Sequence, residues 1–244
     1  MSENTQLVLI CGKAATGKSA SFMNLRNPER VAYMNCENNK RLPFPAKFKQ
    51  ANITDPHQVL QSIQGISGHA DYDIGIVDSL TFMMDMFETQ YVLTATDKRG
   101  AWSAHYKEPF KKLMQEGVAK SDKAIIFTAH TSDVYNENEM VTETLVKVSG
   151  SLMTKGIESF FSTVIASKKM PIKKLEPYEK DNALLNITDE ERALGFKYVF
   201  QTKLTKDTVN ERIRSPMGMW TTQETFIDND AQLILDRLNE YYNG

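Results

Sequence analysis

An apolar run, Leu7-Val8-Leu9-Ile10-Cys11, leads directly into Gly12-Lys13-Ala14-Ala15-Thr16-Gly17-Lys18-Ser19. No other stretch limits the possible folds as tightly. The octapeptide fits G-x-x-x-x-G-K-[ST], a phosphate-binding loop. The run before it reads as a buried strand, and Ala20 to Arg26 after it as a short helix that stops before Pro28. In that setting Gly12 and Gly17 let the backbone curl, so that successive N–H groups face an anion. A helix beginning near Ser19 adds the positive end of its dipole. Gly12, Lys13, Ala14, Ala15, Thr16, Gly17, Lys18, Ser19 and Ala20 are therefore expected to line the phosphates of ATP or GTP. Lys18 is placed for the β- and γ-phosphates, and the Ser19 hydroxyl for Mg²⁺. Lys13 reads as a solvated side chain. The plainer alternative is a glycine-rich turn between core elements, and no signature separates ATP from GTP.

The remaining chain alternates strand and helix patterns. Arg30 to Cys36 reads as a strand, Phe48 to Ile53 as another, and Asp73 to Asp78 as an apolar run ending in an acid. Pro56 to Ile66 spaces Val59, Leu60 and Ile63 as a helix does, Leu80 to Leu93 is a Met- and Phe-rich helix, and Tyr106 to Lys120 is a third. Lys123 to His130 is a strand, whereas Thr94 to Ala104 breaks the pattern and Thr131 to Asn138 reads as a polar loop. This rhythm predicts an α/β fold with a mostly parallel sheet flanked by helices. In the C-terminal half, Ser162 to Ser167 and Phe196 to Thr205 are β-like and supply additional strands. The charged stretch 168–192 between them, with Pro171 and Pro177, reads as an insertion or mobile excursion. Ile227 to Tyr242 is a closing helix, capped by Asp228 or Asn229. At 244 residues, 1–244 fits one domain with a sizeable core.

Ligands of parallel sheets gather at the carboxyl ends of the strands. Three such ends carry polar groups. Asp78 can hold a water on Mg²⁺, Glu37 can orient and deprotonate an attacking water, and His130 can contact the γ-phosphate and relay nucleotide state to the segment after it.

In the order Gly12 to Ser19, Met34-Asn35-Cys36-Glu37, Ile76-Val77-Asp78-Ser79 and Phe127-Thr128-Ala129-His130, the chain resembles the RecA-like core ATPases. Within that class it is similar to the short phage nucleotide-binding proteins, some of which are single-strand-annealing recombinases. The resemblance covers roughly the first two-thirds of the chain. It implies a Mg²⁺-dependent ATPase, stimulated by oligomerisation or DNA, with Lys18, Glu37, Asp78 and His130 catalytic and with Ser19 and Asp78 on the metal. Ser79 rather than Glu after Asp78 argues against helicase-like relatives. The resemblance also places a cation, crossing into a neighbour's site, in Lys206 to Pro216, with Lys206 and Arg212 as candidates and Arg214 behind them. It implies self-association as a ring or filament, and single-stranded DNA held by segments 94–104 and 131–149. In the first of these segments Lys98, Arg99 and Trp102, with His105 and Lys107 just beyond, combine cations with an aromatic. Lys147 opens a strip continued by Lys155, Lys168, Lys169, Lys173 and Lys174, but Asp133, Glu137, Glu139 and Glu143 in the second segment oppose a phosphate backbone.

A formal net charge of −2, from 29 Lys+Arg against 31 Asp+Glu, leaves no overall basic field to attract nucleic acid. The two cysteines, Cys11 and Cys36, end buried strands and read as core thiols of a reducing compartment. With no membrane-spanning apolar run and a polar start, the expected location is cytoplasmic, the host cytoplasm if the chain is phage-encoded. Two further functions stay open. One is a nucleotide-gated assembly acting on a protein partner, such as a single-strand-binding or replication protein. The other is a P-loop small-molecule phosphotransferase.

Overall fold

The computed structural model describes residues 4–104, 107–149 and 156–244. In chain order the strands are β1 (Leu7–Gly12), β2 (Val31–Asn35), β3 (Lys49–Asn52), β4 (Ile74–Asp78), β5 (Ala124–Asn136), β6 (Val141–Val146), β7 (Thr163–Pro171), β8 (Phe196–Gln201) and β9 (Phe226–Asp228). The helices are α1 (His57–Ile66), α2 (Leu80–Phe87), α3 (Lys98–Ala104), α4 (Ile172–Glu179), α5 (Asp189–Leu194) and α6 (Ala231–Asn243).

The strands order as β3-β2-β4-β5-β1-β7-β8-β9. β3, β2, β4, β5, β1 and β7 run parallel, whereas β8 is antiparallel to both β7 and β9. The chain is thus α/β, with a mostly parallel mixed sheet flanked by helices. It starts at β1, builds one side of the sheet, then returns to β7 on the other side. That reversal opens a crevice at the carboxyl end of β1, where sheets of this kind bind ligands.

Every residue of β1 is buried, and its alternation divides the core. Leu7, Leu9 and Cys11 face a cluster with Val59, Ile63 and Ile66 of α1, Leu80, Met83 and Met84 of α2, and Phe110 to Val118. Val8 and Ile10 face Phe22, Leu25 and, from α6, Ile234, Leu235 and Leu238. Period-2 side chains from one strand thereby anchor both helical layers.

Several elements differ from the sequence reading. The helix expected over Ala20 to Arg26 is a single 3-10 turn, Ser19–Phe22, so the dipole available to the loop is small. The second helix continues past α2 as a π-helical stretch, Glu88–Val92, and 107–120 forms π and 3-10 turns around Pro109, which lacks an N–H. Segment 94–104 contains the short helix α3. Of the expected polar loop 131–138, residues 131–136 are the outer half of β5, paired antiparallel with β6, and 137–138 begin the turn between them. Residues 168–192, expected as an excursion, contain the end of β7, α4 and the start of α5, and pack Ile172, Leu175, Leu185 and Ile187 against Val199 and Phe226. The cap of α6 is Asp230, whose side chain accepts from Gln232 N–H, because Phe226–Asp228 is taken up as β9. Among the described residues, no helix is long and apolar enough to cross a membrane.

Candidate active site

Residues 13–18 turn tightly at the end of β1. A Cβ on Gly12 would lie 2.4 Å from the Ser167 carbonyl oxygen, and Gly17 adopts φ 94 beside Asn229. Both positions therefore require glycine. The loop is held from the β7 side: Ser167 Oγ donates to Thr16 O at 2.7 Å, and Asn229 Nδ2 to Gly17 O at 2.8 Å. Among the described residues, the backbone N–H groups of Ala14 to Lys18 have no acceptor. Lys18 is buried and donates to Gly12 O at 2.9 Å and Lys13 O at 2.8 Å. Burial lowers its pKa, against the opposing pull of Asp78 and Glu37.

Asp78 stands at the end of β4, at 2 % exposure, and collects three hydroxyls. Ser19 Oγ donates to Oδ2 at 2.8 Å, Tyr33 Oη to Oδ2 at 2.7 Å, and Thr128 Oγ1 to Oδ1. Burial beside this carboxylate pushes the Tyr33 phenol upward, which keeps it a donor. The Asp78–Ser79 peptide bond is cis. Tyr33 and Thr128 were not singled out from the sequence. Inside strands they read as core, and only the pairing of β2 with β4 and of β4 with β5 brings them onto one acid.

Glu37 lies just past β2. Asn35 shapes its turn, accepting from Glu37 N–H at 2.9 Å and donating to Lys40 O at 2.9 Å. The Glu37 carboxylate meets His130 Nε2 at 3.3 Å and Lys40 Nζ at 2.9 Å. The hydrogen bond with His130, with Lys40 second, outweighs burial and holds its pKa at about 2. His130 is positioned by its own N–H, which donates to Thr81 Oγ1 at 2.9 Å, and its carbonyl accepts from Lys147 N–H at 2.8 Å. Residues 15–20, Tyr33, Glu37, Lys40, Arg41, Asp78, His130, Tyr198 and Asn229 line one cavity of about 380 Å³. The structure thus brings Lys18, Ser19, Glu37, Asp78 and His130 together, and adds Tyr33, Lys40, Arg41, Thr128 and Asn229.

The other candidate cations lie elsewhere. Arg212 is bound to Glu143 of its own chain at 2.8 Å and lines a second cavity, of about 720 Å³, on the far side of the loop. Lys13 pairs with Asp133 there at 2.6 Å, as Lys168 does with Glu211. Lys206, Lys98, Arg99 and Lys147 are exposed, and Trp102 is half-buried. Lys169 lies 3.7 Å from the Phe196 ring centroid, and Lys174 meets Asp207 at 3.6 Å. Two members of the expected basic strip are therefore already paired with acids. His105, Lys155 and the Lys107 side chain lie outside the described residues.

Neither a scan against protein-family models nor a search of the curated proteins returned a match to this chain.

Proposed function

We propose that the chain is a Mg²⁺-dependent, RecA-like P-loop ATPase. The observation that carries this reading is the 2.8 Å hydrogen bond from Ser19 to Asp78, in the same cavity as Lys18 and the Glu37–His130 pair. Among the described residues, no cluster of three or more His, Cys, Asp or Glu could hold a metal. One carboxylate beside one hydroxyl suits Mg²⁺, which takes its remaining oxygens from water and phosphate. Bound there, the ion would neutralise charge on the phosphates. The unpaired amides of Ala14 to Lys18 suit the phosphate oxygens, and Lys18 has donors beside them. At a pKa of about 2, Glu37 is ionised and a weak proton acceptor. Its oxygens suit it to orient water, and taking a proton requires the bonds to His130 and Lys40 to loosen.

We propose single-stranded DNA as the partner, with annealing or recombination as the outcome. Support comes from Lys98, Arg99 and Lys147, exposed in the two segments that follow β4 and the buried half of β5. A second reading, a nucleotide-gated ring or filament acting on a protein, is favoured by the segment around Lys206. It exposes Leu204, Val209 and Met217, the last at 93 %. An apolar rim beside a cation without a partner among the described residues suits contact with a neighbouring copy.

Hydrolysis measured with and without single-stranded DNA, across protein concentration and salt, separates these readings. Stimulation by DNA that falls steeply with salt supports the first. Stimulation by protein concentration alone supports the second. Lys18→Ala is expected to abolish nucleotide binding, and Glu37→Gln to retain binding and lose turnover. Normal hydrolysis by both variants would remove this site assignment, and no hydrolysis by the wild type would remove the ATPase reading.

A further inference from the structure

We propose that Arg41 is a catalytic cation supplied by the same chain that holds the nucleotide. The inference rests on the ATPase reading above. Lys18, Lys40 and Arg41 are the cations of the cavity lining. Lys18 is engaged by Gly12 O and Lys13 O, and Lys40 by Glu37. Arg41 is exposed and makes no hydrogen bond or ion pair with any described residue. It is therefore the cation of this cavity whose donors are all uncommitted.

The backbone on either side of Arg41 is fixed. Asn35 holds the Lys40 carbonyl, while Leu42 and Phe44 pack against the core beneath, with Phe44 edge-on to Phe48 at 5.9 Å between centroids. A long, uncommitted side chain thus rises from an anchored stem at the mouth of the cavity. A guanidinium is planar, permanently charged and forked, which matches the paired oxygens of a phosphate. In hydrolysis the water oxygen bonds to the γ-phosphorus, and the bond to the β–γ bridging oxygen breaks. That oxygen leaves with the electron pair as part of the nucleoside diphosphate, and the water's proton passes to Glu37. Charge spreads over the γ-oxygens and the bridging oxygen on the way, and Arg41 stabilises it there without bonding covalently. A surface arginine of no consequence would differ in one respect: its removal would leave turnover unchanged.

The test compares wild type with Arg41→Ala and Arg41→Lys in steady-state hydrolysis, in equilibrium binding of a fluorescent ATP analogue and in thermal unfolding. Arg41→Ala is expected to lower kcat by about two orders of magnitude. Analogue affinity and melting temperature should change little, and Arg41→Lys should recover part of the loss. Mixing Arg41→Ala with Lys18→Ala chains should leave turnover at the Arg41→Ala level, since each cation serves its own site. Recovery on mixing would show that Arg41 acts across a subunit boundary and overturn the proposal, as would an unchanged kcat in Arg41→Ala. Failure of the wild type to bind the analogue would instead remove the ATPase reading itself.

Discussion

Asp78 and Glu37 are both buried acids at the ends of neighbouring strands, and their surroundings give them different work. Asp78 accepts from three hydroxyls, none of which brings a charge. Glu37 faces an imidazole and an ammonium, and its carboxyl is held at about 2 instead of the ordinary 4.5. The first arrangement surrounds a carboxylate with neutral donors, and the second pairs a carboxylate with two nitrogen groups, which makes it a weak proton acceptor. His130→Ala removes the larger cause of that depression, so the Glu37 carboxyl should titrate closer to its ordinary value. Carbon-detected NMR of the Glu37 carboxyl reads this directly, and the acid limb of the hydrolysis profile should move upward in pH with it. An unmoved Glu37 titration would mean that the 3.3 Å contact does not persist in solution. Gly12, Glu37, Asp78 and His130 could be read in the sequence because each follows or ends an apolar run, and Lys18 and Ser19 because they close the glycine-spaced loop after the first of those runs. Tyr33 and Thr128 could not, since a polar atom inside a strand shows its partner only after the sheet is assembled.

At the scale of elements, β5 shows most clearly where sequence patterning works and where it stops. Its first six residues are buried, and the apolar stretch Ala124 to Phe127 announces them. Phe127 is fully buried and meets Phe161 edge-on at 5.5 Å between centroids. Phe127→Ala should destabilise the fold by about 3–5 kcal/mol, read from urea unfolding. A loss near the surface-mutation range of about 0.5 kcal/mol would mean that the site collapses around the gap. The outer half of β5 carries Thr131, Ser132, Asp133, Val134 and Tyr135 and has no apolar run. It is a strand because β6 pairs with it, and the ties of this pair are polar: Lys13 to Asp133 on β5, and Arg212 to Glu143 on β6. Two-stranded pairing over little core leaves no hydrophobic pattern to detect.

For the whole molecule, the acids predict how stability depends on pH. Glu37 is held down by His130, Asp73 by Arg30, Asp122 by the Gly68 N–H and Asp133 by Lys13. Each is more acidic folded than unfolded. Its contribution is therefore complete above the ordinary carboxylate range and is lost as pH falls through the lowered folded value. Urea midpoints should decline from about pH 5 toward the pKa of about 2 held by Glu37. Glu37→Gln should flatten the lowest part of that decline, and a slope unchanged by Glu37→Gln would show that Glu37 is not depressed. Asp122 and Asp133 are exposed and Asp73 is half-buried, so solvent and salt reduce their share.

The α/β class, the central strand and the loop after it could be read from residue order, because continuous apolar runs bounded by glycine allow few arrangements. The mostly parallel sheet with helices on both faces follows from the same alternation. Assembly decided the rest. Asn229, some two hundred positions after the loop, reaches Gly17 only through the reversal of the sheet at β1. Arg212 and Arg41 are both arginines in polar segments, yet one is tied to Glu143 beyond the loop and the other lines the cavity with no partner among the described residues. Charge and burial patterns along a chain record what a residue tolerates. Which groups share a volume depends on strand order and register, and those are properties of the folded sheet.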